Sequence, residues 1–418
     1  MTGHIVIIGA SHAGISCAEQ LRSLGFSGAI TLVDRQSGAP LERPPLSKSY
    51  LGSMPEDDDK FLLRRPEWYD KFQVTMIDGM AVDRIDAELH QVWLADGQLL
   101  NYDKLILATG AVPRTLPQVV SLKNVHVLRS RDNAAALRRA MQTAKTAVVI
   151  GGGYIGLEAA ASFRKAGLNV HVVEAVERLL ARVASPDISA FFRELHQCHG
   201  VMVHTGMTET KFHQKDGLLT GITLDTGEKI SAELLVVGIG VVPESVLAEA
   251  IGAETGNGIL VDRQMRTTIE DVYAIGDVAL IEGAALRVES VHNAQDTASR
   301  AAADIAKTPL PGISIPWFWS EQYDVKLQSA GIVPADKDDM RYAVRPGKRE
   351  DSMSVWSYDG GQLVAVEAVR DPAAYMLGKK CLENHLSPPL SDITDPAFDL
   401  KTFATASSVM QRDGVGLL

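Results

Sequence analysis

At 418 residues the chain is too long for one compact core, so two or three domains are expected. A formal net charge of −11 argues against a generic nucleic-acid or anionic-membrane binder, while leaving room for a local basic patch. The apolar run Ile5 to Ile8 is far shorter than the ~20 residues that a membrane span needs and enters a Gly-rich loop directly, so the sequence reads as a soluble cytoplasmic protein.

The first element is a strand, His4-Ile5-Val6-Ile7-Ile8, that runs through Gly9-Ala10-Ser11-His12-Ala13-Gly14 into a helix. Gly9 permits the tight turn, Gly14 lets strand and helix pack closely, and the helix N-terminus offers free N–H groups to a pyrophosphate. Ser11 stands where the fingerprint has its middle Gly, which is expected to weaken the backbone approach. The next strand, Ala29-Ile30-Thr31-Leu32-Val33, ends in Asp34, an acceptor for an adenosine ribose. A loop rich in Pro and charge follows, Pro40 to Lys48, and Tyr102 to Gly110 closes the first half with another apolar strand.

A second fingerprint then appears, Ala147-Val148-Val149-Ile150-Gly151-Gly152-Gly153-Tyr154-Ile155-Gly156, with a helix from Leu157 to Ala166 and a turn at Gly167. The strand Asn169-Val170-His171-Val172-Val173 ends in Glu174, whose carboxylate suits both ribose hydroxyls and repels a 2′-phosphate, so NADH is expected. Arg178 and Arg182 either hold a phosphate or cap the next helix. An amphipathic stretch from Ile188 to Leu195 precedes hairpin turns at Asp216-Gly217 and Thr226-Gly227 and the strand Leu234 to Gly240. Asp271 to Asp277 is another strand ending in a Gly-Asp turn, and an Ala-rich helix follows from about Asn293 to Ala306. After Pro316 the composition shifts to Trp, Tyr and alternating apolar residues, as in Ser352 to Trp356 and Gln362 to Val366, which predicts a third, α+β domain. The fold class is therefore α/β, with two Rossmann-like dinucleotide-binding domains and a C-terminal α+β domain.

Cys17, Cys198 and Cys381 are widely separated and form no C-x-x-C pair, so no redox disulfide, Cys-ligated cluster or zinc site can be assembled locally. Cys17, within the first helix, is expected to be a small core residue. His196 and His199 share a helix face but have no carboxylate or thiolate motif beside them, and are expected to be solvated or capping rather than metal ligands.

Two fingerprints, each with a strand before, a helix after and an acid about twenty residues on, imply two bound dinucleotides and a flavoprotein reductase. Five words sharpen this: Glu42-Arg43-Pro44-Pro45-Leu46-Ser47-Lys48, Gly151 to Glu158, Tyr273-Ala274-Ile275-Gly276-Asp277, Glu289-Ser290-Val291-His292-Asn293-Ala294 and Pro316-Trp317-Phe318-Trp319-Ser320-Glu321-Gln322. On them the chain resembles the FAD-containing, NADH-dependent ferredoxin reductases of the putidaredoxin, rubredoxin and biphenyl dioxygenase reductase type, within the glutathione reductase-like class. It departs from that family at Ser11 and from Asp34 to Ala39, where a Gly-acid pair is usual. The resemblance implies an FAD domain of residues 1–114 and 246–316, an NADH domain of 115–245 inserted in it, and a C-terminal domain of 317–418 lying over the flavin.

By the same resemblance FAD meets Gly9, Ser11, His12, Ala13, Gly14, Asp34, Arg43, Lys48, Ala108, Thr109, Gly110, Arg131, Gly276, Asp277, Val291 and Trp319, with Asp277 on the ribityl chain. NADH meets Gly151, Gly153, Tyr154, Ile155, Glu158, Glu174, Arg182 and Gly240. Lys48, Glu158 and Tyr154 carry the catalytic work: Lys48 pairs with Glu158 beside flavin N5, and Tyr154 covers the flavin until nicotinamide binds. NADH then gives a hydride to the flavin, which passes single electrons to a small [2Fe-2S] ferredoxin, or a rubredoxin, serving a P450 or ring-hydroxylating oxygenase. Arg64, Arg65, Arg341, Arg345, Lys348 and Arg349 are candidates for a positive docking patch. Two alternatives stay open. One is an NADH oxidase or disulfide reductase, although the nucleophilic Cys usual near Arg43 to Lys48 is absent. The other is a non-catalytic flavoprotein like apoptosis-inducing factor.

Overall fold

The computed structural model describes residues 3–312, 314–333 and 339–405. Strands such as Leu234–Val237, apolar throughout, and Ala29–Val33, apolar but for Thr31, are buried almost end to end, the pattern of strands covered on both faces, and they form parallel sheets. The first sheet has five parallel strands in the order Val272–Ala274, Lys104–Leu107, His4–Ile8, Ala29–Val33 and Val74–Ile77. Its outermost member comes from beyond the second fingerprint, so this sheet is discontinuous in sequence.

The second sheet is also five-stranded and parallel, in the order Met202–His204, Asn169–Val173, Thr146–Ile150, Leu234–Val237 and Val125–His126. The chain leaves the first unit and returns to it through two short strands, Ala111–Pro113 and Val241–Pro243, that pair antiparallel with each other. The hairpin turns fall as the sequence suggests, between Thr210–Lys215, Leu218–Leu224 and Lys229–Ser231.

The third sheet is antiparallel, in the order Trp317–Gln322, Val325–Gly331, Gln362–Val369, Met353–Asp359 and Met340–Pro346, backed by the helix Pro372–Glu383. Its first strand is a wedge between the other two units. By strand alternation Phe318, Ser320 and Gln322 share one face and Trp317 and Trp319 the other. Two helices start earlier than their patterns suggest. The second-fingerprint helix spans Tyr154–Lys165, and the Ala-rich helix spans Val291–Ile305 because Ser290 caps it, accepting from the Asn293 N–H at 3.0 Å. Among the described residues no helix is long and apolar enough to cross a membrane.

Candidate functional site

Both Gly-rich loops are built by the same contact. Gly9 (φ +109°) and Gly151 (φ +108°) adopt backbone that disfavours side chains, and a Cβ there would lie 2.2 Å from the Ala108 carbonyl oxygen and 2.3 Å from that of Gly238. A Cβ on Gly14 or Gly156 would come within 2.0 or 2.2 Å of the Gly9 or Gly151 oxygen, so each helix N-terminus is pressed against its own loop. Ser11 does not disturb this design. Its counterpart Gly153 has ordinary negative φ and nothing within 4 Å of a Cβ, so a small side chain fits this loop position without moving the backbone. The Ser11 hydroxyl accepts from Arg43 Nε at 3.2 Å.

The acids that end the second strands do the same work twice. Asp34 Oδ2 accepts from the Ala10 N–H at 2.9 Å, and Glu174 Oε2 from the Gly152 N–H at 2.6 Å. Each carboxylate fixes the second residue of its loop, and its other oxygen accepts from Gln36 or Val176.

Around the first loop, Ser11, Asp34, Gly38, Arg43, Leu46 and Arg131 line one crevice. Burial, with Arg129 alongside, pulls the Arg43 guanidinium down to about 10, and Arg43 donates to the Arg129 carbonyl. Arg129, which stands in no recognisable word, ion-pairs with Asp277 at 2.7 Å. The Gly276-Asp277 turn lies against the fingerprint helix, where a Cβ on Gly276 would meet that of Ala13 at 2.8 Å. Burial, then Arg43, holds the His12 imidazole down to about 4, so it is neutral at neutral pH. Ala108 donates its N–H to the Ile8 carbonyl, the Thr109 hydroxyl to the Glu244 carbonyl at 2.7 Å, and the Gly110 carbonyl accepts from the Glu244 N–H. Thr109 thus secures the connecting ribbon. Val291 opens its helix, with His292 and Trp317 in ring contact beside it.

At the second loop Arg182 approaches Gly240, whose Cβ would stand 3.3 Å from Arg182 Nη2, and Ile155 is exposed. Arg178 donates to the Ala181 and Ala184 carbonyls and to Ser189 Oγ, so it braces the following segment instead of facing a phosphate. The Tyr154 ring packs on Phe318 at 4.7 Å, and burial pushes its phenol well above the ordinary range. Trp319 lies on the opposite face of that strand, 5.5 Å from Trp317.

Lys48 and Glu158 meet. Lys48 Nζ is 2.8 Å from Glu158 Oε2, with the Pro44 carbonyl at 3.0 Å as its second acceptor. Glu158 is 1% exposed, and a carboxylate so buried must be fully hydrogen-bonded. Ser47 Oγ donates to Oε2 at 2.5 Å and Ser320 Oγ to Oε1 at 2.6 Å, so donors from the first and third units surround an acid of the second. Ser47 and Ser320 lie inside the quoted words but carry no signal of their own.

His196 is neither solvated nor capping. It is fully buried and bonded through Nε2 to Gln322 at 2.7 Å, while His199 stacks on Tyr323 at 3.6 Å between ring centroids. Cys17 is a core residue whose thiol burial pushes up to about 12. Of the docking candidates, Arg64 pairs with Glu19 at 2.6 Å and Arg345 is consumed by the carbonyls of Ile393, Asp395, Pro396 and Phe398. Arg65, Lys348 and Arg349 are exposed.

The family model described as pyridine nucleotide-disulphide oxidoreductase matches residues 3–298, and that described as reductase C-terminal matches residues 317–404. Rhodocoxin reductase of Rhodococcus erythropolis is 43% identical over 417 residues, covering 98% of this chain and 96% of that protein. The reductase in a covalent putidaredoxin reductase–putidaredoxin complex superposes with a TM-score of 0.91 at 33% identity, covering 97% of this chain and 99% of the other. The ferredoxin reductase for the CYP199A2 system from Rhodopseudomonas palustris gives 0.90 at 38% identity, covering 96% and 100%.

Proposed function

The chain belongs to the pyridine nucleotide-disulphide oxidoreductase family, and from that premise we propose that it is an FAD-containing reductase carrying electrons from NADH to a small [2Fe-2S] ferredoxin or a rubredoxin that serves a P450 or ring-hydroxylating oxygenase. The observation that carries this reading is the duplicated backbone cradle, with one unit tied to the other through Lys48 and Glu158.

The residues fit both dinucleotides. On the FAD side the open helix N-terminus after Gly9, the Arg43 guanidinium, Arg131 and the Asp277 turn would hold a pyrophosphate and its flanking sugars. On the NADH side Gly151, Gly153, Glu174 and Arg182 would do the same, and Glu174 disfavours a 2′-phosphate. When bound, FAD supplies the conversion of a nicotinamide's electron pair into single electrons. The chain's own part is to orient and to screen: Lys48 presents a fixed positive charge beside the proposed flavin site, Glu158 keeps that ammonium in place, and Tyr154 with Phe318 shields the gap between the two cradles. The reading divides the chain into an FAD domain of 1–114 and 246–316, an NADH domain of 115–245 and a C-terminal domain of 317–418, acting in the cytoplasm. The disulfide-reductase alternative has no support near Lys48, since the three cysteines stand at positions 17, 198 and 381.

The test is anaerobic. Purified protein reconstituted with FAD should oxidise NADH only slowly alone and rapidly with a [2Fe-2S] ferredoxin, read as cytochrome c reduction. A parallel air-saturated assay in which NADH consumption is rapid and indifferent to ferredoxin, and stops when oxygen is removed, would favour the oxidase. A preparation that takes up no flavin would end the proposal.

A further inference from the structure

A second polar assembly lies behind the Lys48–Glu158 pair, and no motif announces it. Ser320 and Gln322 on the third sheet and His196 on the helix Pro186–Cys198 have no exposed surface, yet each is polar and each is bonded to the next. His196 Nε2 is 2.7 Å from Gln322 Oε1, Gln322 Nε2 is 3.2 Å from Ser320 Oγ, and Ser320 Oγ is 2.6 Å from Glu158 Oε1. Tyr323 closes the far end, its hydroxyl 3.4 Å from His196 Nδ1.

The direction of every proton in this chain is fixed by valence. An amide oxygen only accepts, so His196 must carry its proton on Nε2, leaving Nδ1 to accept from Tyr323. Burial holds the imidazole down to about 4, so the ring stays neutral with one proton to place. Gln322 then donates through Nε2 to Ser320, whose own hydroxyl proton is free for the Glu158 carboxylate. Turning the amide over fails: Ser320 has a single proton, and it would face two acceptors, the Gln322 oxygen and Glu158. All donors therefore point one way, toward a buried negative charge, the arrangement in which successive hydrogen bonds polarise and strengthen one another.

We propose that Ser320, Gln322 and His196 are positioning residues that hold the Glu158 carboxylate in place, so that the C-terminal sheet sets how much of the Lys48 charge reaches the flavin; the inference rests on the ferredoxin-reductase reading of that pair. With Ser320 bonded to Oε1, Glu158 offers Lys48 only Oε2, which Ser47 shares. Without Ser320 the donors left on Glu158 are Ser47 and Lys48, and of these the ammonium carries the charge, so the freed carboxylate turns toward Lys48 and draws it inward. Loss of the hydroxyl thus acts in the same direction as loss of the lysine.

The experiment uses the FAD-loaded full chain and measures the two-electron midpoint potential of the bound flavin by spectroelectrochemistry, with FAD content and thermal midpoint recorded alongside. Lys48→Ala should lower the potential. Ser320→Ala should lower it too, by about tenfold in the reduction equilibrium, the size of a charge-assisted hydrogen bond, or ~30 mV for a two-electron couple. Ser320→Thr, which keeps the hydroxyl, should restore it, and Ser320→Ala added to Lys48→Ala should change nothing further. A wild-type potential in Ser320→Ala, where Lys48→Ala shifts it, overturns the inference alone. An unmoved potential in Lys48→Ala overturns the site reading and the inference with it. Should the variants fail to fold, side-chain 15N shifts of His196 in the wild-type protein decide the matter: the Nε2–H tautomer is required, and Nδ1–H overturns it.

Discussion

Glu367 offers the sharpest test of the electrostatics that join the C-terminal sheet to the second unit. It lies on the strand Gln362–Val369 without exposed surface, and its Oε2 accepts from the Ser185 N–H at 3.0 Å, at the start of the helix Pro186–Cys198. A carboxylate at a helix N-terminus is normally favoured. Burial overrides that benefit and pushes Glu367 from 4.5 up to about 7, against the lowering by Ser185 and Arg178. Because the folded form binds the proton more tightly than the unfolded one, the stabilisation is complete below pH 4.5 and is lost as pH rises through about 7. A shift of this size corresponds to about 3 kcal/mol lost by pH 8, at ~1.4 kcal/mol per pH unit. Glu367→Gln keeps the shape and an acceptor but never ionises, so it should recover about that amount at pH 8 and under ~1 kcal/mol at pH 5. With ~2.1 cal/mol/K of unfolding entropy per residue over 418 residues, the gain in Tm is ~3 °C if the chain melts as one unit. Scanning calorimetry of both proteins at pH 5 and pH 8 measures it. A variant no more stable than wild type at pH 8, or equally shifted at both pH values, would refute the reasoning.

Glu174→Gln keeps an acceptor for the Gly152 N–H but removes the charge, and should narrow the ratio of kcat/KM for NADH over NADPH by about tenfold, the worth of one charge-assisted contact. Equal wild-type values for the two nucleotides would remove Glu174 from the ribose. Gly9→Ala places a methyl group 2.2 Å from the Ala108 oxygen at φ +109°, so the purified variant should be colourless; a full flavin spectrum would mean the loop does not carry the cofactor. Reduction of an acidic ferredoxin should slow between 0.1 and 1 M salt as the screening length falls from ~10 to ~3 Å, and Arg65→Glu with Lys348→Glu should flatten that dependence. A rate indifferent to salt argues against steering.

The parallel sheets were legible because apolar runs, Gly turns and terminal acids are local signals: Asp34 and Glu174 each sit one residue past a strand they help define. The Lys48–Glu158 contact was legible only through the words around it, since 110 residues separate the two. What the sequence could not show is which face of an amphipathic helix another unit covers. His196 and His199 look alike at i, i+3, yet the third sheet buries the first and leaves the second outside. The same holds for Arg345, which bonds to carbonyls of a segment far along the chain whose path no local pattern records.

The paired strands Ala111–Pro113 and Val241–Pro243 put the entry and exit of the second sheet's whole segment side by side, latched by Thr109 to Glu244 and by the Arg114 N–H to the Gly240 carbonyl. A segment whose two ends already touch can be lifted out, exchanged or split without restringing its host. On the proposed division of the chain, nicotinamide specificity is thereby detachable from the flavin cradle: one ribbon is the seam along which a differently selective module could be sewn in.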